Sequence, residues 1–427
     1  MAFFRKPAGF AVLRHHDFAC LIGARFFGSV AIQMQDVGIA WTVYNLTGRP
    51  LDLGLVGLAE FLPAIGLALV TGSVVDRYNR QRIVLVCYLI YCLCAVSLLG
   101  LGQHRLVWPI LGVVLLFGTA RAFAFPALQA LLPNLVPRAE LGQAIALSSS
   151  SYQLATIGGP ALGGIIFAFG PDWVFALAAA SFAMSSLLLY SIRLRAAPAE
   201  RTPVTWANLL AGVSFIRSRQ ALLGAISLDL FAVLLGGATA LLPIYARDIL
   251  MVGPSGLGVL RSAPAVGAAL TALYLANRPL GQAAGKIMLV CVGIFGIATV
   301  VFGLSTSFWL SLAALVVLGC TDMSSVFVRS TLIQVATPDA MRGRVSAVNS
   351  VFISASNELG QFESGVTAAW FGAVPAVVLG GIGTLLVAGL WAASFPALRR
   401  VDLSASGIEE LACASDEGAA ARQLAQS

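Results

Sequence analysis

Apolar residues run through this chain in blocks of about 20, the length a helix needs to cross a bilayer, with short polar breaks between them. In the first half the blocks lie at residues 17 to 44, 53 to 75, 83 to 102, 107 to 130, 143 to 169 and 173 to 192. In the second half they lie at 221 to 245, 256 to 276, 287 to 305, 308 to 332, 344 to 371 and 374 to 395. The pattern predicts an all-α integral membrane protein of twelve transmembrane helices. The first segment carries Arg25 and Asp36 and is followed by eleven more, so it is expected to remain in the protein rather than be cleaved as a signal peptide.

The pattern also occurs twice. Residues from about 40 to 165 recur at a gapless offset of 201 positions. Tyr44 matches Tyr245, Gly57 matches Gly258, Arg77 matches Arg278, Gly118 matches Gly319, Pro137 matches Pro338, and Gly159 and Gly164 match Gly360 and Gly365. Agreement at glycines, prolines and charges does not arise from shared hydrophobicity, so the chain is expected to fold as two pseudo-symmetric six-helix bundles. Residues 1–192 form the N-terminal bundle, 193–220 a cytoplasmic linker, 221–400 the C-terminal bundle and 401–427 a cytoplasmic tail. A site between two such halves suits transport by alternating access.

Composition agrees with a lipid solvent: 59% of residues are hydrophobic, 11% are charged, and the mean hydropathy is +0.89. With both termini in the cytoplasm, Arg49, Arg105 and Arg247 fall in outer loops and Arg25, Arg121, Arg261 and Arg329 within segments, which leaves 19 of the 26 Lys and Arg on the inner side, counting Arg344 at the inner edge of the eleventh segment. That bias orients the protein by the positive-inside rule. It also accounts for the net charge of +7 without a nucleic-acid partner.

Several chemistries are disfavoured. Six of the seven cysteines (all but Cys413) lie inside apolar segments, with no metal-ligand spacing. His15, His16 and His104 lie at the start of the first segment or in an outer loop, so no metal, cofactor or enzymatic activity is expected. The linker turns amphipathic around Trp206, Leu209, Leu210, Val213, Phe215 and Ile216, flanked by Arg193, Arg195, Arg217 and Arg219. It reads either as a short helix on the inner membrane surface or as a tether.

Between the second and third segments stand Gly72, Asp76, Arg77, Tyr78, Asn79, Arg80, Gln81 and Arg82. Here the chain resembles the major facilitator superfamily, whose motif in this loop is Gly-x-x-x-Asp-Arg-x-Gly-Arg-Arg/Lys. The resemblance extends over residues 10 to 400 and implies the major facilitator fold. It also implies that Gly72, Asp76, Arg77, Arg80 and Arg82 form a cytoplasmic gate, with the acid near the start of the eleventh segment after Thr337, Pro338 and Asp339. Asn79 replaces the motif's second glycine and is expected to keep its left-handed turn. In the second copy Arg278 remains, but Asn277 stands opposite Asp76. In the fifth segment Gly158, Gly159, Pro160, Gly163 and Gly164 resemble the superfamily's exporter motif, with Ala155 in place of a further glycine; tight helix packing explains the same residues.

Charges inside spans mark function, because lipid excludes them elsewhere. By the 201 offset Arg121 corresponds to Asp322 and Glu60 to Arg261, so equivalent positions carry opposite charges. Arg121 and Asp322 are expected to pair, or to hold a charged substrate, in one state of the cycle. With Asp36 they are the proton-coupling candidates, since a carboxyl group out of water can carry a proton near neutral pH. Arg121 is also similar to an arginine of drug antiporters, although Phe125 stands where glycine is usual. Gln33, Arg25, Asp229 and Glu358 are cavity candidates, and Gln35 and Glu363 lie nearby in sequence.

Residues 356 to 372, with Pro243, Tyr245 and Asp248, are similar to the branch that includes enterobactin exporters and macrolide efflux proteins. That resemblance implies export of an amphipathic drug or siderophore across the cytoplasmic membrane, and the protein is expected to function as a monomer. No Gly-x-x-x-x-Gly-Lys-Ser/Thr loop is present, so a proton gradient rather than ATP is the expected drive. An importer or facilitator of the same fold, and a non-transporting sensor or scaffold, are the alternatives.

Overall fold

The computed structural model describes residues 12–101, 106–193, 206–278, 281 and 283–404. His104, Arg105, Arg195, Pro198, Cys413 and most of the tail lie outside them, as do the side chains of Asp76, Trp206, Leu209 and Asp339. The described residues are almost wholly helical: α1 His16–Thr47, α2 Pro50–Gly66, α3 Ala68–Arg77, α4 Arg80–Leu101, α5 Val107–Leu131, α6 Leu141–Phe167, α7 Pro171–Tyr190, α8 Trp206–Ser218 and α9 Gln220–Leu235. After the short α10 Leu242–Ile244 come α11 Gly253–Asn277, α12 Ala284–Leu304, α13 Phe308–Ala336, α14 Asp339–Phe371, α15 Ala373–Ser394 and α16 Pro396–Arg399.

Among the described residues nine helices are long and apolar enough to cross a membrane. The other three expected spans are helical too, and each has a physical reason for being shorter or less apolar. The span at 53 to 75 is divided into α2 and α3 at Leu67, just after Pro63 and Gly66. The one within α6 carries four consecutive serines, Ser148 to Ser151, and the one within α14 carries Arg344, Glu358 and Glu363.

The chain divides into two compact units, Met1–Val204 with Leu242–Ser262, and Thr205–Leu241 with Ala263–Ser427. In the first, α1 packs on α6 and α7, α4 packs on α5 and α7, and α2 lies on α5. Its centre is aromatic: Tyr91 stacks against Phe117 and Phe182 at centroid separations of 4.6 and 5.3 Å, and Tyr88 joins at 5.4 Å. In the second unit α12 packs on α13 and α15, and α9 on α14 and α15. The linker does form a helix, α8, which lies along α14 with Phe215 and Ile216 in the core of this unit.

The internal repeat is visible as the same contact made twice. A Cβ on Gly159 would lie 2.6 Å from Cβ of Gln33, and one on Gly360 would lie 3.0 Å from the carbonyl of Leu234. Both members of these pairs are related by the 201 offset. Small residues let helix backbones approach where lipid supplies no hydrophobic drive for packing, so the glycines persist in both copies. Large apolar side chains such as Leu62, Leu187, Leu273 and Leu386 are exposed on the outer faces of the helices, as lipid contact requires. The exposed tryptophans Trp108, Trp173, Trp309 and Trp370 sit at helix ends next to loops that the charge pattern assigns to the outer side, where interfacial aromatics belong.

Candidate functional site

The first unit contains a cavity of about 100 Å³ between four helices. Helix α1 contributes Arg25, Ser29 and Gln33, α4 contributes Tyr88 and Tyr91, α5 contributes Arg121, Phe125 and Gln129, and α6 contributes Tyr152. Three residues singled out from the sequence, Arg25, Gln33 and Arg121, therefore meet in one place. The tyrosines were not legible as site residues, because an aromatic inside an apolar segment reads as packing.

The two arginines differ in their electrostatics. Arg121 pairs with Glu60 of α2 at 3.1 Å. The two first-half members of the charge-inverted set thus pair with each other, within one half. The signal was present in the sequence: each copy of the repeat carries one acid and one base at these two positions. Arg25 is half-buried; its Nη1 donates to Ser148 Oγ at 2.6 Å, and its guanidinium lies 5.6 Å from the centroid of the Tyr152 ring. Among the described residues no carboxylate lies within ion-pairing distance of it. Among the described residues it is a positioned cation without a counter-ion.

Asp36 lies further along α1. Its Oδ2 is 3.9 Å from Arg261 of α11, while its Oδ1 is buried without a hydrogen-bond partner. Neighbouring Gln35 is 0% exposed, and neither its amide nitrogen nor its oxygen is hydrogen-bonded. Near the end of α1 the Tyr44 hydroxyl donates to Asp248, Arg247 donates to the Tyr44 carbonyl at 3.1 Å, and the Arg247 guanidinium sits 5.3 Å from the Tyr44 ring centroid. A π-helical turn, Tyr245–Ile249, presents Arg247 and Asp248 to that ring. Alongside, Gly164 packs directly on Pro254 and Gly258.

The glycine motif of α6 is spent on packing. Gly159 and Gly163 lie against Gln33 and Met34 of α1, and Gly164 lies against α11, whereas Gly158 faces open space. In the gate motif the structure corrects one expectation. Among the described residues only Met251 and Ala283 are non-glycines at positive φ, so Asn79 does not form a left-handed turn. Its Oδ1 instead accepts from the amides of Gln81 at 3.0 Å and Arg82 at 3.3 Å, which caps the start of α4. Arg80 is buried and donates to the carbonyl of Ala130, while Arg77 and Arg82 are exposed. Gln81 donates to the carbonyls of Leu189 and Ile192 and so holds the end of α7.

In the second unit Asp229 of α9 pairs with Arg329 of α13, with 7% and 3% of their side chains exposed. Arg329 was legible as an arginine inside a span, but nothing in the sequence singled it out as the partner of Asp229. Asp322 makes no ion pair among the described residues and lines a small cavity with Asp229 and Ser325. Glu358 accepts from Gln361 at 3.0 Å and Glu363 from Thr367 at 2.7 Å, both local to α14.

Comparison with known proteins adds to this picture. The sequence profile of the transmembrane secretion effector family matches residues 7–412. The chain is 29% identical over 380 residues to the enterobactin exporter EntS of Citrobacter koseri, covering 87% of this chain and 86% of that protein. It is 28% identical, with the same coverage, to the EntS of Escherichia coli O1:K1. Among solved structures it superposes on a bacterial homologue of the human lysosomal transporter Spinster with a TM-score of 0.70 at 14% identity, covering 91% of this chain and 98% of that one. A bacterial homologue of the iron transporter ferroportin gives 0.63 at 16% identity, covering 87% and 98%.

Proposed function

The chain belongs to the transmembrane secretion effector family of major facilitator transporters, in the cytoplasmic membrane, and we propose that it exports an acidic, ring-bearing amphipathic molecule of the siderophore class. The observation that carries this reading is Arg25, a guanidinium held by Ser148 and Tyr152 and paired with no carboxylate among the described residues. A cation within the membrane normally finds a counter-ion or faces a wet cavity that serves function. Arg121 is already paired with Glu60, so Arg25 supplies the net positive charge of the cavity. Tyr88, Tyr91 and Tyr152 add ring faces and hydroxyls. An anion carrying aromatic rings satisfies both features, and the relatives named as enterobactin exporters agree in class and direction.

Proton antiport is the proposed drive, with Asp36, Arg121 and Asp322 as its candidates and both termini in the cytoplasm. Release to the outer side requires the contacts of Tyr44 with Asp248 and Arg247, and of Gly164 with Gly258, to part. The test is uptake of labelled enterobactin into everted membrane vesicles under an imposed pH gradient. Uptake is expected to need the gradient, to stop with an uncoupler, and to lose about 10- to 100-fold in apparent affinity in Arg25→Gln, the value of one charge-assisted hydrogen bond. Uptake that persists without a gradient would make the protein a facilitator, and uptake confined to right-side-out vesicles would make it an importer.

A further inference from the structure

The second unit contains a polar stripe inside the membrane. Asp322, Ser325 and Arg329 stand at i, i+3 and i+7 on α13 and so share one helix face. Asp322 and Ser325 line a cavity with Asp229 and Thr321, and Ala232, Val233, Val292 and Phe295 supply its apolar lining. Its free volume is about 10 Å³, close to the smallest space that admits one water.

Within this pocket every polar group but two is committed. Asp229 is held by Arg329, and the Thr321 hydroxyl donates to the carbonyls of Val317 and Leu318, at 3.0 and 2.9 Å. Asp322 has no ion-pair partner among the described residues; Arg261, at the repeat position matching Glu60, lies beside Asp36. Ser325 is 2% exposed, and its Oγ is buried without a hydrogen-bond partner. Asp229 and Arg329 cancel, so the stripe retains one negative charge, on Asp322, next to an unsatisfied hydroxyl. No other charged or titratable group described on the packed helices lines the cavity: Tyr274, Lys286, Cys291, Cys320, Arg342, Arg344, Glu358 and Glu363 all lie elsewhere.

We infer that this pocket is a single-proton site, with Asp322 as the proton acceptor and Ser325 as its hydrogen-bond partner. In the loaded state the Asp322 O–H donates to Ser325 Oγ. When the proton leaves, the Ser325 O–H turns to donate to the carboxylate, so both states are satisfied and charge changes by one. A sodium ion is disfavoured by the small number of free oxygens. The assignment narrows the proton-antiport reading to one of its candidates, and rests on that reading for what the proton drives.

The test is infrared difference spectroscopy of the purified full-length protein between acidic and alkaline buffer, with no transported substrate. A protonated-carboxyl band is expected in the native protein. It should vanish in Asp322→Asn, shift in Ser325→Ala and persist in Asp36→Asn. Absence of the band in the native protein, its survival in Asp322→Asn, or its displacement by sodium would overturn the assignment. Its loss in Asp36→Asn alone would move the proton to α1 and leave antiport standing. If the band behaves as expected but substrate flux ignores the pH gradient, antiport fails and the proton site survives. Circular dichroism of Asp322→Asn, matched to the native protein, separates a lost band from a lost fold.

Discussion

Removing the carboxylate of Asp229 tests how the second unit holds charge inside the membrane. The pair it forms with Arg329 is almost sealed, with 7% and 3% of the two side chains exposed, so solvent screening discounts little of its energy. Asp229→Leu strands a guanidinium among apolar neighbours, and breaking a buried pair from one side costs about 3–5 kcal/mol. That is at least a hundredfold change in the folded-to-unfolded ratio, at about 1.4 kcal/mol per factor of ten. Arg329→Met strands the carboxylate and is expected to cost a similar amount. The double variant strands neither charge, and replacement of a buried pair by apolar groups of similar size is often close to neutral. It should therefore lie within about 1 kcal/mol of the native protein, far from the sum of the singles. Unfolding in mixed micelles can be followed by tryptophan fluorescence, since Trp391 donates to Ser227 of α9 at 2.9 Å and reports on that helix. Single variants that each cost under about 1 kcal/mol, or a double variant as unstable as the sum, would refute the reasoning.

Three further outcomes follow from local geometry. Gly158→Ala, facing open space, should be neutral or stabilising by up to about 1 kcal/mol in a thermal melt, whereas Gly163→Ala, whose Cβ would stand 2.9 Å from the Met34 backbone, should be destabilising. Asn79→Asp should keep the stability of α4 and Asn79→Ala should lose about 1 kcal/mol; a gain on Asn79→Gly would instead indicate a left-handed turn. Gln35→Leu removes one buried amide whose nitrogen and oxygen are both unsatisfied and should raise stability by about 1–3 kcal/mol. Comparing its thermal melt with its transport rate shows whether those groups find partners in another state of the cycle.

The twelve apolar segments, the duplication and the fold were legible in the sequence because they depend on transfer from water to lipid. Length and hydropathy decide that transfer, and both are properties of the linear chain. The same logic marked Arg25, Arg121, Asp36, Asp229 and Asp322, since any charge within a span is conspicuous. Partnership was another matter. That Arg121 pairs with Glu60, that Arg329 neutralises Asp229 and that Arg25 pairs with no acid among the described residues depends on helix rotation, where one residue of phase turns a side chain by about 100°. Asn79 makes the same point at short range, since the residue suits either a left-handed turn or a helix cap, and its side chain was free to take the two amides at the start of α4. Tyr88, Tyr91 and Tyr152 line the cavity only because three helices bring them to Arg25. The chain by itself determined which groups lipid would not tolerate unassisted, and tertiary structure alone decided which of them found an opposite charge among the described residues, because neutralisation is a matter of distances between helices.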